Sequence, residues 1–240
     1  MQNRYTGDIG DFGKLGMLRV LQDAGFSVGV NWYLTPNESH NQDGKHTNYD
    51  DLRSCDENLW RELKQIVDSD NRSVAALQKD RILKATFYAE PLDFRGKKKA
   101  ERRLIRENWH QNALKALCGS DLVFVDPDNG LIVKSAEEKP KENKFVLPEE
   151  LTEYYKQGSS VIYYQHKARR PDPDYTKQHL QLLTRPEFAG ASGLGIKFWK
   201  TSQRYYFFIL QPEHRDKITK AVHDMLRSEW SKCFSQLPIE

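Results

Sequence analysis

The feature that most narrows the fold is a run of consecutive apolar residues, Leu122-Val123-Phe124-Val125, held between Asp121 and Asp126-Pro127. A strand with one wet face alternates apolar and polar side chains. An unbroken apolar run that stops at a turn belongs to a strand covered on both faces, which favours a parallel sheet with helices above and below it. Residues 161–164 repeat the signature, and residues 26–34 and 85–89 are β-rich runs ending in turn chemistry at Thr35-Pro36 and Glu90-Pro91. The helical spacing of Phe12, Leu15, Leu18 and Leu21 predicts a first helix over 11–23, capped by Asp8 or Asp11. Similar spacing runs from Leu59 to Val67, from Leu104 to Leu117 and from Ile218 to Trp230. Two β-rich runs, 195–200 and 204–210, joined by Thr201-Ser202-Gln203, have the layout of an antiparallel hairpin. The alternation predicts one α/β domain over 1–240: a doubly wound, mostly parallel, Rossmann-like sheet with a C-terminal antiparallel β-hairpin. The charged stretch 134–144, containing Pro140, is predicted as a mobile surface loop, and the polar stretch 39–46 as a long connection of the kind that usually does something.

Composition excludes several classes. With 38% hydrophobic and 30% charged residues over 240 positions, the chain can bury a core and is not disordered throughout. No apolar run nears the length that spans a bilayer, and the first residues lack the basic start and apolar centre of a signal peptide. The expected location is the cytoplasm, with no membrane partner. Cys55, Cys118 and Cys233 lie far apart and form no CxxC pair, so neither a zinc ribbon nor a disulfide framework is suggested and the three are taken as ordinary thiols. None of the histidines forms an i, i+4 pair of the zinc-helix kind, although His166 follows a strand end.

The formal charge of +3 is small but uneven. Cations cluster from Arg95 to Arg106 close to Trp109, and again at Lys167, Arg169 and Arg170. Such clusters neutralise phosphates as readily as they decorate a wet surface, and they make nucleic acid the expected partner, with Lys97, Lys98, Arg102, Lys167, Arg169 and Arg170 as its candidate contacts.

In doubly wound sheets ligands bind beyond the carboxyl ends of the strands, and Asp126-Pro127-Asp128-Asn129-Gly130 lies at such an end. Pro127 fixes its own φ and biases Asp126 towards extended backbone, while Asn129-Gly130 supplies a turn. Two carboxylates and an amide are thereby held at the mouth of the sheet, which nominates Asp126, Pro127, Asp128 and Asn129 as the reaction centre. The same residues would also serve as a plain strand-end turn. Gly7, Gly10, Gly13 and Gly16 in the first turns of the first helix mark close approach, either of a packed sheet or of a small ligand at a helix N-terminus.

With Asp126-Pro127 after an apolar strand, an aromatic-containing helix before it and a C-terminal hairpin, the chain resembles the class I S-adenosylmethionine-dependent methyltransferases. It is most similar to the RlmJ-type ribosomal RNA adenine methyltransferases, whose N-terminal cofactor-facing segment resembles Tyr5-Thr6-Gly7-Asp8-Ile9-Gly10-Asp11-Phe12-Gly13-Lys14. The resemblance implies that Asp8, Asp11, Lys14 and Asn31 sit near S-adenosylmethionine, that Glu90 meets its ribose hydroxyls, and that Asp126 and Asn129 orient the acceptor. Those adenine amino-methyltransferases carry Asp-Pro-Pro-aromatic, whereas here Asp128 and Asn129 follow Pro127. Two other readings use the same atoms: a nuclease or phosphodiesterase in which the carboxylates chelate Mg²⁺, and a binding module without catalysis.

Overall fold

The computed structural model describes residues 1–38, 44–69, 72–79 and 81–239; most of the polar connection singled out above, 39–43, lies outside them. Helix α1 (Ile9–Asp23) leads into β1 (Val28–Asn31), followed by α2 (Glu57–Asp68), the single turn α3 (Val74–Leu77), β2 (Thr86–Tyr88) and α4 (Lys99–Ala116). Strand β3 (Leu122–Val125) ends at the Asp-Pro turn; β4 (Gly130–Leu131) and β5 (Phe145–Val146) pair in a separate small sheet, and α5 (Pro148–Lys156) precedes β6 (Ser160–His166). Then come α6 (Asp172–Leu183), the hairpin β7 (Ser192–Phe198) and β8 (Arg204–Leu210), α7 (Arg215–Leu226) and β9 (Phe234–Gln236).

The main sheet has the order β2-β1-β3-β6-β8-β7-β9. Strands β2, β1, β3 and β6 are parallel neighbours, and the hairpin turns β8 back so that it pairs antiparallel with both β6 and β7. This is the mostly parallel, Rossmann-like sheet expected, with the hairpin built into the sheet. Leu122, Phe124, Ile162 and Tyr164 face the core packed by α1, α2 and α7, while Val123, Val125, Val161 and Tyr163 face the core packed by α4, α5 and α6. All four residues of β3 are buried, which is why its sequence shows no alternation. Among the described residues no helix is long and apolar enough to cross a membrane.

Segment 134–144, which reads as weakly patterned, contains a 3-10 helix, Pro140–Lys144. Its anchor is Asn143, buried, whose Nδ2 donates to the Leu92 carbonyl at 2.8 Å. The glycine spacing of α1 is explained by packing: a Cβ on Gly13 would lie 2.6 Å from the Phe198 ring, and one on Gly16 2.0 Å from Trp230.

Candidate functional site

The strand order reverses beside β1: the chain leaves it outward to β2 and returns past it to β3. Crevices at such switch points are where α/β sheets bind ligands. The carboxyl end of β3 carries Asp126 into it, and α1 enters from the opposite face with Asp8, Asp11 and Lys14 on its first turns. Asp8 caps α1, its Oδ1 accepting from Asp11 N at 2.9 Å, and Asp11 in turn accepts from Gly7 N at 3.0 Å. Capping and site-building are therefore done by the same side chains.

Lys14 Nζ donates to Asp126 Oδ2 at 2.5 Å and lies 3.0 Å from Asp11 Oδ1, with all three side chains buried. Burial opposes the lysine's charge, yet Asp11 and then Asp126 outweigh it and raise its pKa. Two carboxylates share that one cation, and burial pushes both Asp11 and Asp126 above the usual carboxylate value. Asp126 Oδ1 has no hydrogen bond among the described residues.

Asp128 is held differently. The Met1 ammonium is 2.7 Å from its Oδ1, and Gln2 Nε2 donates to its Oδ2 at 2.8 Å. Burial works against its charge, but the Met1 ammonium and the Gln2 amide more than compensate and its pKa falls. The same ammonium donates to the carbonyls of Tyr33 and Asp126, at 3.1 and 3.0 Å, so Met1 and Gln2 fill the space beyond β1.

The turn itself is fixed from β6. Gln165 Oε1 accepts from Leu131 N at 2.9 Å and its Nε2 donates to the Asn129 carbonyl at 3.0 Å. Gly130 has φ +104°, and a Cβ there would stand 2.3 Å from Gln165 Oε1, so both conformation and space demand glycine.

A cavity of about 170 Å³ opens between these groups, below the roughly 300–1,000 Å³ of a site enclosing a whole drug-sized ligand. Its walls carry both signs: Asp8, Asp11, Glu38, Asp126 and Asp128 against Lys14, Lys144 and Arg204. Arg204 begins β8 opposite His166 of β6, and a Cβ on Gly10 would fall 2.5 Å from its guanidinium. It lies 3.8 Å from Asp8 and donates to the Ser202 carbonyl at 3.1 Å. Tyr164, buried beside it, hydrogen-bonds His166 Nδ1 at 3.3 Å. Among the described residues no group of three or more His, Cys, Asp or Glu side chains is placed to hold a metal ion.

The cavity thus gathers Asp126, Pro127, Asp128 and Asn129 with Asp8, Asp11 and Lys14. Two expected residues lie elsewhere. Asn31 is buried on the other side of β1, its Nδ2 donating to Tyr154 Oη at 3.0 Å and its Oδ1 accepting from Tyr33 N at 3.1 Å, which leaves its amide committed to the fold. Glu90 is exposed beyond β2 and does not line the cavity.

The expected phosphate contacts are dispersed. Lys97, Lys98 and Arg169 are exposed. Arg102 donates to the carbonyls of Lys97 and Glu138, Lys167 pairs with Asp172, and Arg170 lies over the Tyr175 ring at 4.3 Å. Arg106, part of the same basic run, is buried against Glu150.

Sequence reasoning missed Met1, Gln2, Tyr164 and Arg204. Arg204 was findable in principle, since a charged residue opening the all-apolar run 205–210 marks a strand end. No family model matches the chain, and no curated protein matches it.

Proposed function

We propose that the chain is a methyltransferase-like α/β protein that acts on nucleic acid, with the cleft beyond β3 as its site and S-adenosylmethionine as methyl donor. The observation that supports this reading above the others is the meeting of Lys14 and Asp126, 112 positions apart in sequence, at the switch point of a Rossmann-like sheet. Among the described residues the metal-dependent hydrolase reading has no matching group of ligands.

The donor set fits one end of the cofactor. The methionine end carries an ammonium and a carboxylate, and the cavity offers carboxylates at Asp8 and Asp11 beside the guanidinium of Arg204. Its volume suits that end alone. Glu90, exposed after β2, is the carboxylate available to ribose hydroxyls. When bound, the cofactor supplies an electrophilic methyl group.

The chain's own residues then act on the acceptor. Asp126 Oδ1, which no described residue hydrogen-bonds, accepts a bond from an exocyclic amino group, while the Lys14 ammonium fixes Oδ2 and so sets the direction of Oδ1. Asn129, held by Gln165, lies across the same turn. Pro127 keeps this stretch rigid, so little ordering remains to be done on binding. Without an aromatic ring in the turn, base stacking falls to side chains elsewhere.

Titration calorimetry with S-adenosylmethionine tests the reading. Binding to the wild type that weakens about 10-fold or more in Arg204→Met, with an unchanged circular dichroism spectrum, is expected. Absence of binding at millimolar cofactor, in protein shown to be folded, overturns it.

A further inference from the structure

Beside the later turns of α1 and against α7, two cysteines far apart in sequence meet. Cys55 ends a 3-10 helix, Asp50–Cys55, and Cys233 follows another, Glu229–Lys232; the two turns pack together. Cys55 Sγ donates to the Glu229 carbonyl at 3.3 Å and Cys233 Sγ to the Trp230 carbonyl at 3.4 Å, so the thiols sit on adjacent carbonyls of one turn. The two thiols are near enough to act on each other's ionisation.

Their exposures differ. Cys55 is half-buried and lines an open surface pocket of about 570 Å³ between α1, α7 and the 3-10 turns, whereas Cys233 is fully buried behind it. The neighbouring Cys233, and after it the Lys232 ammonium, holds the Cys55 thiol below its ordinary pKa, while Cys233 is pushed well above its own. Lys232 is kept in place by Ser54 Oγ at 3.0 Å and by Glu229. An accessible thiol with a lowered pKa, packed against a buried second thiol, is the arrangement of a peroxide-sensitive pair.

We propose that Cys55 and Cys233 form a reversible disulfide when the protein meets a peroxide, with Cys55 as the thiol oxidised first and Cys233 as the resolving one. The Cys55 thiolate attacks one oxygen of hydrogen peroxide, the O–O bond breaks and hydroxide leaves, giving Cys55 sulfenic acid. Cys233 sulfur then displaces the sulfenic hydroxyl; its proton and that hydroxyl leave as water and the S–S bond forms. Overall two thiols lose two electrons and one peroxide becomes two waters. The bond ties residues 50–55 to the C-terminal turn, closing a loop over most of the chain, which limits the unfolded state strongly.

The test is mild peroxide treatment of the whole protein, alkylation of remaining thiols and mass analysis of an unreduced digest. A Cys55–Cys233 peptide is expected in the wild type and in Cys118→Ser, together with a Tm higher by about 5–10 °C that dithiothreitol reverses. In Cys55→Ser, a surface change the fold tolerates, Cys233 stays reduced; in Cys233→Ala, Cys55 progresses to sulfinic acid. Recovery of Cys55 as sulfinic or sulfonic acid in the wild type with Cys233 unlinked, or linkage only through Cys118 between molecules, overturns the proposal.

Discussion

Two groups of buried charge flank β1, one on each face of the sheet, and they are built to opposite rules. On the α4 and α5 side, Arg106 grips Glu150 with two parallel bonds of 2.7 Å, and its remaining donors reach the carbonyls of Phe145 and Glu142. Glu150 also accepts from Tyr33 Oη at 3.0 Å and Leu147 N at 2.9 Å. Burial would raise its pKa, but Arg106 prevails and lowers it. Both carboxylate oxygens of Glu150 and all three guanidinium nitrogens of Arg106 have partners, and neither residue lines the cleft. On the α1 side, one lysine serves two carboxylates, Asp126 keeps an oxygen that no described residue pairs, and the group borders the cavity. Buried charge by itself therefore marks no site; incomplete pairing next to an open space does.

If that contrast is right, the closed group governs stability and the open one governs binding. Arg106→Met strands Glu150 without its counter-ion and should lower unfolding free energy by roughly 3–5 kcal/mol in urea titrations, the largest single effect anticipated. A loss near zero would erase the distinction.

His179 gives the next effect. It lies in the dry layer under α6, hydrogen-bonded through Nδ1 to Tyr163 Oη at 3.0 Å, and burial lowers its pKa to about 3. Below the ordinary pKa of about 6.5 the unfolded chain takes up a proton that the native state refuses, so stability rises with pH across the window from about 3 to 6.5. This one group adds a slope of up to about 1.4 kcal/mol per pH unit there. His179→Phe should flatten the stability curve between pH 4 and 6.5 relative to wild type; an unaltered slope would show that the carboxylates alone produce it.

Asp126→Asn sharpens the contrast from the other side. Asp11 still neutralises Lys14, so the fold should lose about 1–2 kcal/mol, while cofactor-dependent binding of an amino-bearing nucleoside should fall 10-fold or more. Equal losses in both readouts would place Asp126 with Glu150. Smallest is Lys97→Glu: an exposed charge away from the cleft should shift stability by less than about 0.5 kcal/mol. Its binding readout is nucleic-acid affinity at low salt, and an unchanged salt slope would remove Lys97 from the contact set.

The architecture was legible because periodicity reports which faces are covered: the unbroken run of β3 announced a two-sided sheet, and β8 announced itself as a β-rich run after a short turn, all seven of whose residues prove buried. What periodicity does not report is register and partner. Asn31 has the right strand-end address for a ligand, yet alternation along β1 turns its amide towards Tyr154 on the far face. The pairing of Arg204 with His166 depends on how β6 and β8 slide, which no local pattern encodes. Cys55 and Cys233 look solitary in the chain and become neighbours only when the C-terminal turn closes over α1. The glycines of α1 carried a true signal, close approach, whose cause is an aromatic ring at Gly13 and Gly16 and a guanidinium at Gly10.

Gln165 gives the Asp-Pro-Asp-Asn-Gly turn a dependence that its own letters do not contain. Because that amide clasps the turn from a neighbouring strand, the spelling of the motif and its aim are encoded about 35 residues apart. A chain could keep every letter from 126 to 130 and still misdirect its carboxylates after a single change at 165. For this architecture, inheritance of a motif and inheritance of its geometry are separate events, and the second is legible only in the residue that does the clasping.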